Sequence, residues 1–229
     1  MENIDKAVIV CAGIGGWYPK GVARLENSLV HHGFAGRTMF WKDEYPYGSP
    51  THQDNPYAFK IFEFEAAMNT GANVILHLDA SFWCIKNPHR LFDLISDNGV
   101  IGFRTGYNMA QTSSDAALQW AGFTRDEAEA LPEIASGMVG LRLDNPMGAE
   151  VFRLWKEGME LGLFRNNRLH DLNDSQDPRF LHARQDQAIY SLAIHKLGLY
   201  VNDEDIVAYY NNGKPGYNPD KCLFFIESL

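Results

Sequence analysis

Apolar residues run almost unbroken through 6–12 (KAVIVCA) and 73–79 (NVILHLD). Continuous runs of this length predict central strands covered on both faces. Shorter or less complete runs at 37–43, 100–104, 137–143, 205–210 and 222–227 predict further strands. Between them the apolar spacing lengthens to that of a helix. Val22, Leu25 and Leu29 share one stripe across 20–32, and Gly33 offers the stop. Asn55-Pro56, Asn87-Pro88 and Asn145-Pro146 each predict an N-cap and first helical turn, because proline lacks only an amide that a helix start leaves unpaired. Thr124 with Glu127 forms a capping-box pattern, and Ile189, Leu192, Ala193 and Leu197 line one face of a last helix over 183–197.

Strands alternating with helices imply an α/β protein with a mostly parallel central sheet and helices on both faces. In such sheets ligands sit beyond the carboxyl ends of the strands. Ala12-Gly13 lies at that end of the first strand and Asp79 at that end of the third. No linker, charge run, repeat or low-complexity tract divides the 229 residues, so 1–229 reads as a single domain.

Composition narrows the function classes. The chain is 45% hydrophobic and 21% charged, as ordinary globular proteins are. Its 20 basic and 29 acidic residues give a net charge of -9, which argues against a nucleic-acid partner but leaves room for a small anion in a local pocket. Cys11, Cys84 and Cys222 include no C-x-x-C pair and read as buried thiols. The acidic N-terminus does not resemble a signal peptide, and no apolar stretch reaches transmembrane length, so a cytoplasmic location is expected.

The candidate chemistry sits at the strand ends. In AGIGGWYPKG (12–21), Tyr18 stands where a dinucleotide fingerprint needs its third glycine, which excludes an NAD site of that kind. What remains is a turn that lets a ligand approach the backbone, or a plain flexible loop. Lys60, near a helix start, is either a solvated lysine or one that meets a phosphate oxygen. Asp79, in LHLDAS, ends an apolar run, where a carboxylate is costly unless a cation or donor meets it. Two acids spaced i and i+2 in such a turn can share one divalent ion that also grips a diphosphate. Asp186 opens a helix and either complements its dipole or faces a substrate. No H-x-x-x-H or H-E-x-x-H occurs, and His77 reads as a satisfied core residue, so no zinc enzyme is indicated. Among the aromatics, Tyr107 and Tyr217 are the first candidates to stack on a base or sugar.

VILHLDASFWCIKNPHRLFDLI resembles the strand, D-x-D turn and following helix of the GT-A-fold glycosyltransferases, notably the glycogenin-like and galactosyltransferase-like groups. KAVIVCAG is similar to that family's first strand, and PYAFKIFEFEAAMNTGANVILHLD to its lysine-bearing helix before the acidic turn. IASGMVGLRLDNP resembles the strand beside the donor sugar, and ARQDQAIYSLAIHKLGL the "D-Q" helix. The resemblance implies transfer of a sugar from a UDP- or GDP-sugar to a hydroxyl acceptor. It places Ala12, Gly13, Lys60, Asp79, Ser81, Arg104, Gly137, Gln187 and Lys214 at the donor, and Asp186 as the acid near sugar or acceptor, a possible general base. It also implies Mg²⁺ or Mn²⁺ at Asp79. Two positions depart from that pattern. Ser81 replaces the second, chelating acid, and in YNNGKPGY Tyr210 replaces a metal-binding histidine, with the spacing to Lys214 shortened. Lys60, Arg104, Arg184 and Lys214 are the cations then left to meet the diphosphate. The same departures suit an alternative, a non-catalytic relative that binds a sugar nucleotide or a partner.

Overall fold

The computed structural model describes residues 6–165, 173–201, 205–209 and 218–227. The chain opens with β1 (Ala7–Gly13), α1 (Tyr18–His31), β2 (Arg37–Lys42), α2 (Phe59–Asn69) and β3 (Val74–Leu78). After the Asp79 turn come β4 (Phe82–Cys84), α3 (His89–Asn98), β5 (Val100–Ile101) and β6 (Arg104–Asn108). The short helices α4 (Met109–Thr112), α5 (Asp115–Ala121) and α6 (Arg125–Ala128) lead to β7 (Pro132–Ile134) and β8 (Met138–Arg142). Then follow α7 (Pro146–Glu160), α8 (Gln185–Lys196), β9 (Val207–Tyr209) and β10 (Phe224–Ile226).

The main sheet has the order β2-β1-β3-β8-β5. β1 runs parallel to β2 and β3, whereas β8 is antiparallel to both β3 and β5. Strand alternation then sorts the core into two layers. Val8 and Val10 face one way, together with Ile75, Val139 and Leu141, and pack on α2, α7 and α8. Ile9, Cys11, Leu76 and Leu78 face the other way and pack on Val22, Leu25 and Leu29 of α1 and Leu91 and Ile95 of α3. β1 and β3 are buried throughout, as their unbroken apolar runs require.

Local signals account for several ends. Gly33 adopts φ +71°, and Phe34 N donates to Leu29 O at 2.9 Å, so α1 stops where a left-handed residue is tolerated. Asn145 Oδ1 accepts from Met147 N at 2.8 Å and caps α7. The Thr124–Glu127 box is complete, with Thr124 N donating to Glu127 Oε2 at 2.8 Å and Glu127 N to Thr124 Oγ1 at 3.2 Å.

Other expectations need correction. Asn55-Pro56 does not start a helix: residues 51–58 form turns, with Asn55 N on Thr51 O at 3.0 Å, and Tyr57 sits at φ +60°. A left-handed residue cannot lie inside a right-handed helix, so α2 begins only at Phe59. At Asn87-Pro88 the helix starts one residue later, at His89, whose amide donates to Asn87 Oδ1 at 3.0 Å. The run at 100–104 is split. Val100 and Ile101 pair with β8, then the chain leaves the main sheet and Arg104 pairs with Ile134 in a separate two-stranded sheet. Tyr210, expected to end the strand at 205–210, lies outside the described residues. All three cysteines are free and buried.

Candidate active site

Asp79 sits where β3 ends. Its amide donates to Gly137 O at 2.8 Å, so the antiparallel neighbour β8 begins beside the turn. Strand periodicity puts Ile75, His77 and Asp79 on the face covered by α2. On α2, Lys60 and Glu63 are one turn apart and point at that same face. The result is a run of ionisable groups from core to surface. Glu63 Oε2 meets His77 Nδ1 at 2.5 Å, His77 Nε2 meets Asp79 Oδ1 at 3.1 Å, and Lys60 Nζ lies 3.3 Å from that same Oδ1.

Lys60 is 1% exposed and held on several sides. Its ammonium contacts Asp186 Oδ2 at 3.0 Å and donates to Ser136 O at 3.0 Å and Ser136 Oγ at 3.2 Å. The Tyr57 ring lies 5.1 Å away. Burial opposes its charge, but Asp186 and Asp79 more than offset this and raise its pKa, so the ammonium persists. Its carboxylate partners therefore occupy the cation that the sequence offered to a phosphate. Asp186 is nearly as buried, at 4% side-chain exposure, and α7 fixes its position through Trp155 Nε1, which donates to Asp186 O at 3.0 Å.

Asp79 is the member of this cluster that solvent reaches, with 37% of its side chain exposed. Burial pushes its carboxyl up, but Lys60 and His77 outweigh that and hold it well below the usual carboxylate range. Burial lowers His77, yet Glu63 and Asp79 raise it on balance. Glu63, fully buried, is raised by desolvation although His77 opposes this. Asp79 Oδ2 looks toward Gly137, where an added Cβ would come within 3.0 Å of it. Glycine there keeps that oxygen open.

Two cavities meet at Asp79 and Tyr57. The smaller, about 90 Å³, is lined by Lys60, Ser136, Arg184, Gln185, Asp186 and Gln187 besides those two. Gln187 Oε1 accepts from Ser136 N at 3.1 Å, while its buried Nε2 has no hydrogen-bond partner. Arg184, 29% exposed in its side chain, stands 3.7 Å from buried Glu133. The larger cavity, about 390 Å³, extends from Ala12 past Trp17, Tyr45 and Phe59 to Ser81. Trp17 and Tyr18 stack at 4.5 Å on its wall. The left-handed non-glycine residues include Tyr57 at φ +60° and Gln185 at φ +47°, both in the wall of the smaller cavity. Backbone held in a sparsely populated region concentrates at functional sites.

The structure thus gathers Ala12, Lys60, Asp79, Ser81, Gly137, Asp186 and Gln187 around one cleft. Gly13 supports it from behind, since a Cβ there would lie 2.5 Å from Tyr18 O at the start of α1. Arg104 lines neither cavity and packs over the Tyr200 ring at 5.4 Å. Tyr107 likewise lies elsewhere, edge-on to His182. Lys214 and Tyr217 fall outside the described residues. Tyr57, Ser136, Gln185 and the Glu63–His77 link were not read from the sequence. Lys60 and Glu63 on an otherwise apolar face were the available sign that two charges go into the core as partners. Among the described residues no group of three or more His, Cys, Asp or Glu side chains is placed to hold a metal ion. No described helix is long and apolar enough to cross a membrane.

No family model matches this sequence, and no curated protein matches it. Solved structures do resemble it. The galactosyltransferase LgtC, in complex with donor and acceptor sugar analogs, superposes with a TM-score of 0.51 at 13% identity over 88% of this chain and 75% of its own. A glycosyltransferase involved in glycosylation of the major capsid of PBCV-1 gives 0.50 at 11% identity, covering 96% of this chain and 94% of the other. The bifunctional glycosyltransferase WbbM gives 0.50 at 10% identity, and this chain spans 46% of its length. At such identities the likeness is one of architecture, and in architecture this chain has the GT-A-type glycosyltransferase fold.

Proposed function

We propose that this protein is a glycosyltransferase that moves a sugar from a nucleotide-diphospho-sugar donor, a UDP- or GDP-sugar, to a hydroxyl acceptor. The observation that carries the reading is the position of Asp79, half open to solvent at the junction of an aromatic cleft and a small polar cavity. The cleft's 390 Å³ is the volume of a small-molecule site, and its ring-lined wall beyond β1 suits a flat base. A ribose or sugar hydroxyl donates to Asp79 Oδ2, the oxygen that Gly137 leaves open. In the polar cavity Gln187 Nε2, which lacks a partner, offers a donor to the sugar, since a buried donor left unpaired is costly until a ligand satisfies it. Asp186, which Lys60 holds in the wall of this cavity, is the carboxylate we assign to the sugar or acceptor. Arg184 at the cavity wall is the cation available to the departing diphosphate.

Ser81 in the place of a second acid supports the other reading, a protein that binds the donor without turning it over. Release of nucleoside diphosphate from a panel of UDP- and GDP-sugars separates the two. We expect slow donor hydrolysis by the wild-type protein and a loss of at least a hundredfold in Asp79→Ala, comparable to losing a major electrostatic group in a site. Binding of a sugar nucleotide with no release, for every donor and with acceptors supplied, would favour the binder.

A further inference from the structure

We propose that the acidic turn works without a divalent cation, and that Lys60 delivers to Asp79 the positive charge a metal would otherwise bring. The inference rests on the donor-binding reading above and specifies how that site meets its ligand. Hard dications need several oxygen ligands in a fixed shell. The turn supplies very few. Ser81 contributes a neutral hydroxyl where a carboxylate is needed. Its carbonyl is already used, accepting from Arg24 Nη2 at 2.9 Å and from Glu227 N at 3.0 Å. Asp79 Oδ1 is occupied by His77 at 3.1 Å and Lys60 at 3.3 Å. Only Oδ2 remains, one ligand where a metal site in such a turn uses more.

Charge points the same way. A dication on Asp79 would have to sit beside an ammonium that cannot swing away, because Asp186 and both Ser136 oxygens hold Lys60 from behind. The like charges repel, and the Lys60 ammonium, 1% exposed, is itself little screened by water. The turn also needs no ion to keep its shape. The Arg24 guanidinium lies 4.4 Å over the Trp83 ring and bridges the carbonyls of Ser81 and Glu227, the latter at 2.7 Å, tying β4 to the end of β10. A fixed organic cation beneath the turn thus does the ordering, and the fixed Lys60 ammonium beside Asp79 does the neutralising.

The test is Mn²⁺ titration followed by electron paramagnetic resonance, on wild type and Asp79→Asn, with Mn²⁺ alone and with UDP or GDP present. Nucleotide affinity is measured in parallel in Mn²⁺ and in EDTA. The expected result is no Mn²⁺ uptake that depends on Asp79, and a nucleotide Kd that changes by less than twofold between the two buffers. Stoichiometric Mn²⁺ uptake abolished in Asp79→Asn, or a Kd weakened twofold or more by EDTA, overturns the proposal. If neither nucleotide binds in either buffer, the donor reading fails, while the Mn²⁺ signal still decides the metal question by itself.

Discussion

Lys60→Met lowers the free energy of unfolding by about 3–5 kcal/mol, the range found when one partner of a buried ion pair is removed. The loss arises at Asp186 rather than Asp79. Asp186 is 4% exposed and would be left in the core without its cation, whereas Asp79 is 37% exposed and water screens it. Methionine fills much of the lysine stem's volume, so the cavity contribution is small and the effect reports on charge. Adding Asp186→Asn to Lys60→Met should therefore recover a large part of the loss, because a neutral amide costs far less to bury than a carboxylate. Urea denaturation of the two single variants and the double variant gives the coupling directly. A loss under about 1 kcal/mol for Lys60→Met would show that Asp186 has another partner or is well hydrated.

His77→Phe has a comparable effect near neutral pH, and its size depends on pH in a way that identifies the cause. Glu63 is wholly buried and His77 is its ion-pair partner, so the variant leaves a carboxylate alone in the core. The raised pKa of Glu63 means that the fold favours its protonated form. Below the ordinary value of 4.5 the stranded group is neutral in both states and the variant is least penalised. As pH climbs through that value the penalty grows. In the wild type, His77 is raised above 6.5, so its contribution is fully present below 6.5 and is lost as pH rises through the folded value. Asp79 works in the opposite sense. Held below 3.8, it contributes fully above that pH and loses its contribution as pH falls through the depressed value. The difference in stability between wild type and His77→Phe should thus be smaller near pH 4 than at neutrality, where the stranded carboxylate adds its penalty, and shrink again as the wild-type histidine loses its proton. Chemical denaturation across pH 4–9 measures it. A difference that stays constant with pH would mean that only the packing of residue 77 matters.

The main sheet was legible because its strands are apolar throughout, as in Ala7–Gly13 and Val74–Leu78, and because helix stops such as Gly33 carry their own geometry. β4 and β7 were not. Each has three residues, too few for periodicity to show, and they form only because partners elsewhere in the chain pair with them. The false helix start at Asn55-Pro56 has a similar origin, since tertiary packing holds Tyr57 in a conformation that local propensity disfavours. Of the candidate site, the resemblance named Asp79, Lys60 and Asp186 one by one, but not that Lys60 joins the two carboxylates. That link depends on the distance between α2 and α8 in space, which no spacing along the chain encodes. The aromatic cleft was equally hidden, because Trp17, Tyr45 and Phe59 come from three separate loops and helix starts.

The central claim is that a pyrophosphate-bearing donor lies across the Asp79 turn, with its base in the aromatic cleft. A crystal structure with UDP or GDP, whichever stabilises the protein more, tests this most directly. The account predicts electron density for the base within the cleft bounded by Trp17, Tyr45 and Tyr57, and a ribose or sugar hydroxyl on Asp79 Oδ2. Nucleotide bound away from that turn, or a well-ordered empty cleft at saturating nucleotide, would contradict it.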